Sequence, residues 1–153
     1  MKKILLKNAK LVLENKLING SILIFKNKIE RIFTDKYNLS EFTFDEVIDL
    51  EGKYLGPAFI DVHIHGTDGA DAMDGSEEAL RKISKYLVQE GTANFLATTL
   101  TSSKEILKEI LKVVANLQNK DIEGANIFGV HMEGPYFSIE YKGAQNDKYM
   151  LPA

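Results

Sequence analysis

The chain has 153 residues with 44% hydrophobic content, which suits a single soluble domain of ordinary size with a buried core. Its formal net charge of −3 at pH 7 argues against a general nucleic-acid-binding protein, because such a protein needs a basic surface to neutralise phosphates. The absence of cysteine excludes disulfides and thiolate ligands, so any metal ion must be held by histidine and carboxylate groups.

The first residues briefly imitate a secretion signal. Lys7 and Lys10 interrupt the apolar run, however, and no cleavage site of small residues follows. No apolar segment is long enough to cross a bilayer. We therefore expect a cytoplasmic protein without a membrane partner.

Residues 1–55 predict a small module of β-strands. Asn19-Gly20 and the run from Lys26 to Lys28 are turn signals, and the second of these lies between two strand-like runs, as a hairpin requires. The predicted strands are Ile4–Leu6, Lys10–Leu13, Ser21–Phe25 and Ile29–Phe33.

From residue 56 to 153, strands alternate with helices. Apolar stripes that include Val88 and Ile106 predict two helices facing a sheet, the first ending at Gly91 and the second opening with a capping box from Ser102 to Glu105. Short connections imply right-handed parallel βαβ units, which could continue as a barrel of eight units or as an open sheet. The predicted strands are 58–65, 94–98 and 126–131, and the helices are 76–90 and 102–117.

His63 and His65 close the first strand of this second region. Residues two apart on a strand point to the same face, so both imidazoles can reach one metal ion. The alternative is a pair of histidines that merely lines a polar strand end.

The third strand ends in His131 and Glu133, which share a face. Parallel strands end at a common edge, so His63, His65 and Glu133 could form one site for a divalent ion such as zinc, iron or manganese. Such an ion lowers the pKa of bound water towards neutrality. Glu133 as a simple surface carboxylate is the alternative, and for His131 we expect a packing or supporting role.

The segment from Gly66 to Gly75 is acidic and rich in glycine. Its aspartates are three residues apart and no glutamate completes the pattern, which excludes a calcium loop of the EF-hand kind. A flexible loop that frames a pocket and an ordinary solvated turn remain as alternatives.

The motifs together resemble the N-acetylglucosamine-6-phosphate deacetylase family of the amidohydrolase superfamily. Residues 56–66 look like the first barrel strand of amidohydrolases, with Ala58 where glycine is more usual. The more specific likeness is the combination of this strand with the acidic loop, residues 131–135 and residues 142–146. It covers nearly the whole chain and the N-terminal part of the family's length.

The resemblance implies a (β/α)8 barrel with a β-sandwich built mainly from the N-terminal strands. It implies Glu133 as the principal metal ligand, His63 and His65 at a second metal position, and contacts from Ala144 and Gln145 to the sugar. Some relatives have histidine at the position of Gln145. The implied reaction is hydrolysis of N-acetylglucosamine 6-phosphate to glucosamine 6-phosphate and acetate, with an aspartate from a later strand handling the proton.

A barrel of this kind takes about 250 residues, so the chain has room for only the first three strands. We therefore expect an incomplete barrel, exposed strand edges and no significant activity of this chain alone, with the catalytic aspartate beyond residue 153. A homo-oligomer is possible for a full-length protein. The alternatives are another amidohydrolase, such as a cyclic-amide hydrolase or a nucleobase deaminase, and a non-enzymatic remnant or interaction module.

Overall fold

The computed structural model describes residues 2–118 and 120–152. The chain divides after Pro57 into two compact units, each with its own sheet.

The first unit is a mixed five-stranded sheet. Its strands are β1 (Lys3–Leu13), β2 (Lys16–Phe25), β3 (Lys28–Thr34), β4 (Glu46–Asp49) and β5 (Tyr54–Leu55). β1, β2 and β3 form an antiparallel meander, and β4 and β5 both lie parallel to β1. β1 is therefore the strand that organises this unit.

A β-bulge in β1 gives the sheet apolar side chains on both faces. The pairing with β2 shifts by one residue between Leu6 and Ala9, where Asn8 has a φ of +57°. An extra residue reverses the alternation of side chains beyond it. Accordingly, two separate apolar clusters form, one around Leu5, Leu23 and Phe33 and the other around Ala9, Leu11 and Ile22.

Two expectations for this unit are corrected. The separate strands predicted at 4–6 and 10–13 are one strand, because the bulge absorbs the polar residues between them. Asn19-Gly20 lies inside β2, and the turn falls at residues 14–15. Gly20 is instead needed for space, since a Cβ there would overlap the carbonyl oxygen of Phe33. The hairpin at Lys26-Asn27 is confirmed, with φ values of +52° and +58°.

The second unit alternates strands with helices, as predicted. Its elements are β6 (Phe59–Ile64), β7 (Gly66–Thr67), β8 (Ala70–Asp71), α1 (Glu77–Gln89), β9 (Thr92–Thr99), α2 (Lys104–Leu117) and β10 (Asn126–Met132). β9 is the middle strand of a parallel sheet, with β6 on one side and β10 on the other. β7 and β8 form a small separate hairpin.

Serine side chains cap both helices. Ser76 Oγ accepts from the Ala79 backbone N–H at 3.1 Å, and Ser103 Oγ accepts from the Ile106 N–H at 3.3 Å. The predicted cap at Ser102 is therefore wrong by one residue, and no capping box forms, because Ile106 has no side-chain acceptor to return the bond. Gly91 follows α1 with a φ of +83°, a conformation that favours glycine at a helix end.

Both helices pack their apolar stripes against the sheet. The predicted core positions are confirmed except at Val88 and Ile106, which are about half exposed, and at Leu111, which is only partly buried. The buried residues of this core include Leu80, Ile83, Leu87, Phe95, Ala97, Ile110, Val114, Leu117 and Ile127. Within the described residues, no helix has the length and apolar character that a membrane span requires.

Candidate metal centre

The first two candidate ligands lie where β6 ends, beside a β-bulge. β6 has one more residue than β9 between Asp61 and Ile64, an irregularity common near functional sites. In the bulge, the His63 backbone N–H donates to Asp61 Oδ1 at 3.0 Å, and the Ile64 N–H donates to Thr98 Oγ1 at 2.9 Å. These bonds fix the backbone from which both imidazoles project.

The contact between His65 and the Thr98 backbone defines the tautomer of His65. Its Nδ1 lies 3.2 Å from the Thr98 carbonyl oxygen, which can only accept a hydrogen bond. In the neutral ring, Nδ1 therefore carries the proton and Nε2 presents a lone pair. Metal-binding histidines commonly donate their other ring N–H in this way.

Glu133 follows β10 directly and brings a carboxylate to the imidazole pair. Its Oε2 lies 3.3 Å from His63 Nε2 and 2.9 Å from His65 Nε2. One ligand atom from each of the three residues lies within 4.8 Å of the other two. The structure thus brings together the three residues that the sequence singled out.

The contacts of Glu133 Oε2 fit a bound cation. This oxygen is buried and accepts no hydrogen bond from the described residues. Both Nε2 atoms are close enough for an ion pair, but neither approach has hydrogen-bond geometry. In neutral His65, with the proton on Nδ1, a lone pair on Nε2 also faces the carboxylate. A cation between these atoms would turn their repulsion into attraction.

His131 packs beside His63, one of the three ligand candidates. Its Nδ1 donates to the Val62 carbonyl oxygen at 3.0 Å, and its ring centre lies 4.6 Å from that of His63. The expected packing role is therefore consistent with its position.

Gln145 is buried, whereas the neighbouring Ala144 is exposed. The side chain of Gln145 contacts Glu133 and the backbone of Thr101 at 2.9 and 2.7 Å. The two residues that the resemblance assigned to the sugar therefore differ, because only one of them reaches the His-His-Glu cluster.

Sequence reasoning missed the part played by the end of β9. Thr98 is fully buried, and its hydroxyl accepts from Ile64 at the end of β6 while its carbonyl oxygen contacts His65 just beyond that strand. Gly134 has a φ of +96°, and a Cβ there would overlap Thr101 Oγ1, so the position after Glu133 favours glycine. One sequence signal could have indicated this role. Threonines stand at positions 98, 99 and 101, at the end of the strand whose parallel neighbours end beside His63, His65 and Glu133.

The acidic segment forms a hairpin and a helical turn beside the cluster. Asp68 and Gly69 occupy the hairpin turn with φ values of +53° and +71°. Asp71 caps the turn that follows, and the backbone N–H of Ala72 donates to the His65 carbonyl oxygen at 2.7 Å. This segment is thus ordered and is attached to one of the candidate ligands.

Comparison with known proteins yields a consistent set of relatives. Residues 54–151 match the Amidohydrolase family. An N-acetylglucosamine-6-phosphate deacetylase from Bacillus subtilis is 34% identical over 98% of this chain and 38% of its own length. An N-acetylgalactosamine-6-phosphate deacetylase from Escherichia coli O157:H7 is 36% identical over 64% of this chain and 26% of its own. The crystal structure of N-acetylglucosamine-6-phosphate deacetylase from Pasteurella multocida has a TM-score of 0.83 at 27% identity, over 97% of this chain and 38% of that chain.

The parallel strands of the second unit end beside two histidines and a glutamate, a cluster that could hold a metal ion, and the matches to known proteins are to hydrolases. The chain belongs to the Amidohydrolase family, whose members generally depend on a metal ion. Its relatives include amino-sugar-phosphate deacetylases. The chain spans about two fifths or less of the length of these relatives.

Proposed function

We propose that His63, His65 and Glu133 bind a divalent metal ion, either zinc, iron or manganese, in a deacetylase of amino-sugar phosphates. The observation that carries this proposal is the buried Glu133 Oε2, which has two Nε2 atoms near it and no hydrogen bond from any residue that the structure describes. The ion would supply Lewis acidity, which activates water and polarises the amide carbonyl of the substrate.

The protein's own groups prepare this site. The Thr98 carbonyl oxygen holds the proton of neutral His65 on Nδ1, which leaves Nε2 available as a ligand. His63, His65 and Glu133 have side-chain exposures of 48%, 33% and 26%, so a substrate can reach them from solvent.

The fold assignment follows the relatives. Residues 1–55 would contribute to a β-sandwich, and residues 56–153 would supply the first three strands of a (β/α)8 barrel. The mixed sheet of the first unit and the parallel β6, β9 and β10 of the second support this assignment. The lack of cysteine is compatible with the reducing cytoplasm, where we expect the enzyme to work.

We expect N-acetylglucosamine 6-phosphate as the substrate, which is hydrolysed to glucosamine 6-phosphate and acetate. Ala144 and Gln145 lie in the segment that would face the sugar. N-acetylgalactosamine 6-phosphate is the second candidate substrate, because a relative named for that substrate is 36% identical to this chain.

A chimaeric enzyme tests the proposal. The present chain would replace the matching 38% of the Bacillus subtilis relative, and acetate release would be measured with both sugar phosphates. We expect activity that a chelator removes and a divalent ion restores. The same chimaera with Glu133→Gln should be inactive, while Glu140→Gln, which alters an exposed carboxylate, should be active.

Two results would contradict the proposal. One is full activity of the chimaera with Glu133→Gln. The other is a folded, metal-loaded chimaera that opens cyclic amides and leaves the acetylated sugars untouched, which would favour a cyclic-amide hydrolase.

A further inference from the structure

Gln145 is the one buried amide side chain among the described residues, with 6% of its surface exposed. It lies in a loop whose neighbouring positions, Ala144 and Asn146, are exposed. The backbone N–H of Gln145 donates to the Lys142 carbonyl oxygen at 3.1 Å, which forms a turn that directs this residue inward. A buried amide needs partners for both its oxygen and its nitrogen.

Both ends of the amide have partners. Oε1 accepts from the Thr101 backbone N–H at 2.7 Å, and Nε2 donates to Glu133 Oε1 at 2.9 Å. The orientation is fixed by chemistry, because a backbone N–H can only donate and a carboxylate can only accept. A reversed amide would lose both bonds.

This arrangement determines which carboxylate oxygen faces the histidines. Glu133 Oε1 is engaged by Gln145, and Oε2 is the atom near His63 and His65. The bond to Thr101 anchors the amide to the end of β9, so a backbone group holds the carboxylate through one intermediate side chain.

We propose that Gln145 is a positioning residue, which acts on the metal through Glu133 in addition to any contact with substrate. The proposal rests on the metal site described above. It predicts that the pattern of one acceptor and one donor matters more than the glutamine itself. A neutral histidine offers the same pattern on its two ring nitrogens, whereas methionine has a similar length but offers no donor and only a weak sulfur acceptor.

The test is Co²⁺ binding by the full 153-residue chain, measured by competition with a chromophoric chelator. The visible spectrum of bound Co²⁺ reports the geometry of its ligands. Gln145→Met should weaken binding by about 10- to 100-fold and alter the spectrum, as expected when a group that orients a ligand is lost. Gln145→His should bind Co²⁺ with an affinity close to that of the wild-type chain.

A matched control removes another buried hydrogen bond far from the candidate ligands. Ser84 Oγ donates to the Ala125 carbonyl oxygen at 2.6 Å, just before β10 begins, whereas Glu133 follows the other end of that strand. Ser84→Ala should lower the melting temperature of the metal-free chain and leave Co²⁺ affinity unchanged. If Gln145→Met fails to fold, Gln145→Asn retains a polar side chain but is too short to span both partners, and should show the same loss.

The outcomes separate this inference from the metal site itself. Wild-type affinity in a folded Gln145→Met or Gln145→Asn chain, together with loss of binding in Glu133→Gln, would overturn the role of Gln145 and leave the metal site standing. Equally weak binding by Gln145→His and Gln145→Met would overturn the donor and acceptor argument. A wild-type chain that binds no Co²⁺ would overturn the metal site and the role of Gln145 together.

Discussion

Replacing Gly124 by alanine should destabilise the second unit more than a backbone effect alone can explain. Gly124 has a φ of +137° and lies against α1 just before β10. A Cβ at this position would lie 2.5 Å from both the carbonyl oxygen and Oγ of Ser84, and 2.6 Å from the carbonyl carbon. The hydroxyl could rotate away, but the two backbone atoms cannot move unless the helix shifts.

The expected cost has two parts. Holding a residue other than glycine in a sparsely populated backbone region costs about 1–3 kcal/mol. Forcing an extra carbon into a packed contact costs about 1–3 kcal/mol more. The smaller conformational entropy of the unfolded alanine chain returns about 0.4–1 kcal/mol. The net loss in the free energy of unfolding is therefore about 3 kcal/mol.

The control is Gly69→Ala in the same unit. Gly69 also has a positive φ, +71°, but a Cβ there would meet only Lys82 Nζ, at 4.0 Å. Urea unfolding followed by circular dichroism should show a loss at Gly124 that exceeds the loss at Gly69 by about 2 kcal/mol. Equal losses would show that the contact with α1 relaxes freely, and would refute the steric part of the reasoning.

Three other predictions concern the site and pH. Glu133→Gln should reduce the Co²⁺ content of the chain to background, whereas Glu140→Gln should retain the wild-type content. Metal analysis after dialysis measures both contents. Equal contents in the two variants would show that Glu133 is not a ligand. The chain alone should release no acetate from N-acetylglucosamine 6-phosphate, because it spans 38% of its Bacillus subtilis relative; chelator-sensitive turnover would contradict this. The Glu51 backbone N–H, followed by Lys7 and Asn8, holds the pKa of Asp49 below its ordinary value of 3.8. Its contribution to stability is therefore complete above that value and is lost as pH falls through the lower folded pKa, so Asp49→Asn should destabilise the chain at about pH 6 and have much less effect at about pH 2.

The sequence predicted those parts of the fold that depend on local patterns. The apolar stripe and Gly91 identify α1, and two side chains on alternate positions identify His63 and His65 as neighbours. Glu133 could be added because strands in a parallel sheet end at one edge. These arguments need only periodicity and chain direction, which a single sequence contains.

The features that were missed depend on contacts between distant segments. The bulge in β1 and the burial of Gly20 against β3 are consequences of strand pairing, and neither leaves a local pattern. The same holds for Gln145, whose partners Thr101 and Glu133 come from two other segments of the chain. Short polar runs are ambiguous for this reason, since a turn, a bulge and an inward-facing loop can have the same composition.

The parallel placement of β4 and β5 beside β1 has a consequence for the order of folding. β1, β2 and β3 are joined by two-residue turns, so their pairing closes only short loops. The pairing of Ile4 with Glu46 must close a loop of about 40 residues, which costs more entropy and slows contact formation. The meander should therefore form first and serve as a template, and β4 and β5 should join it in the slower step.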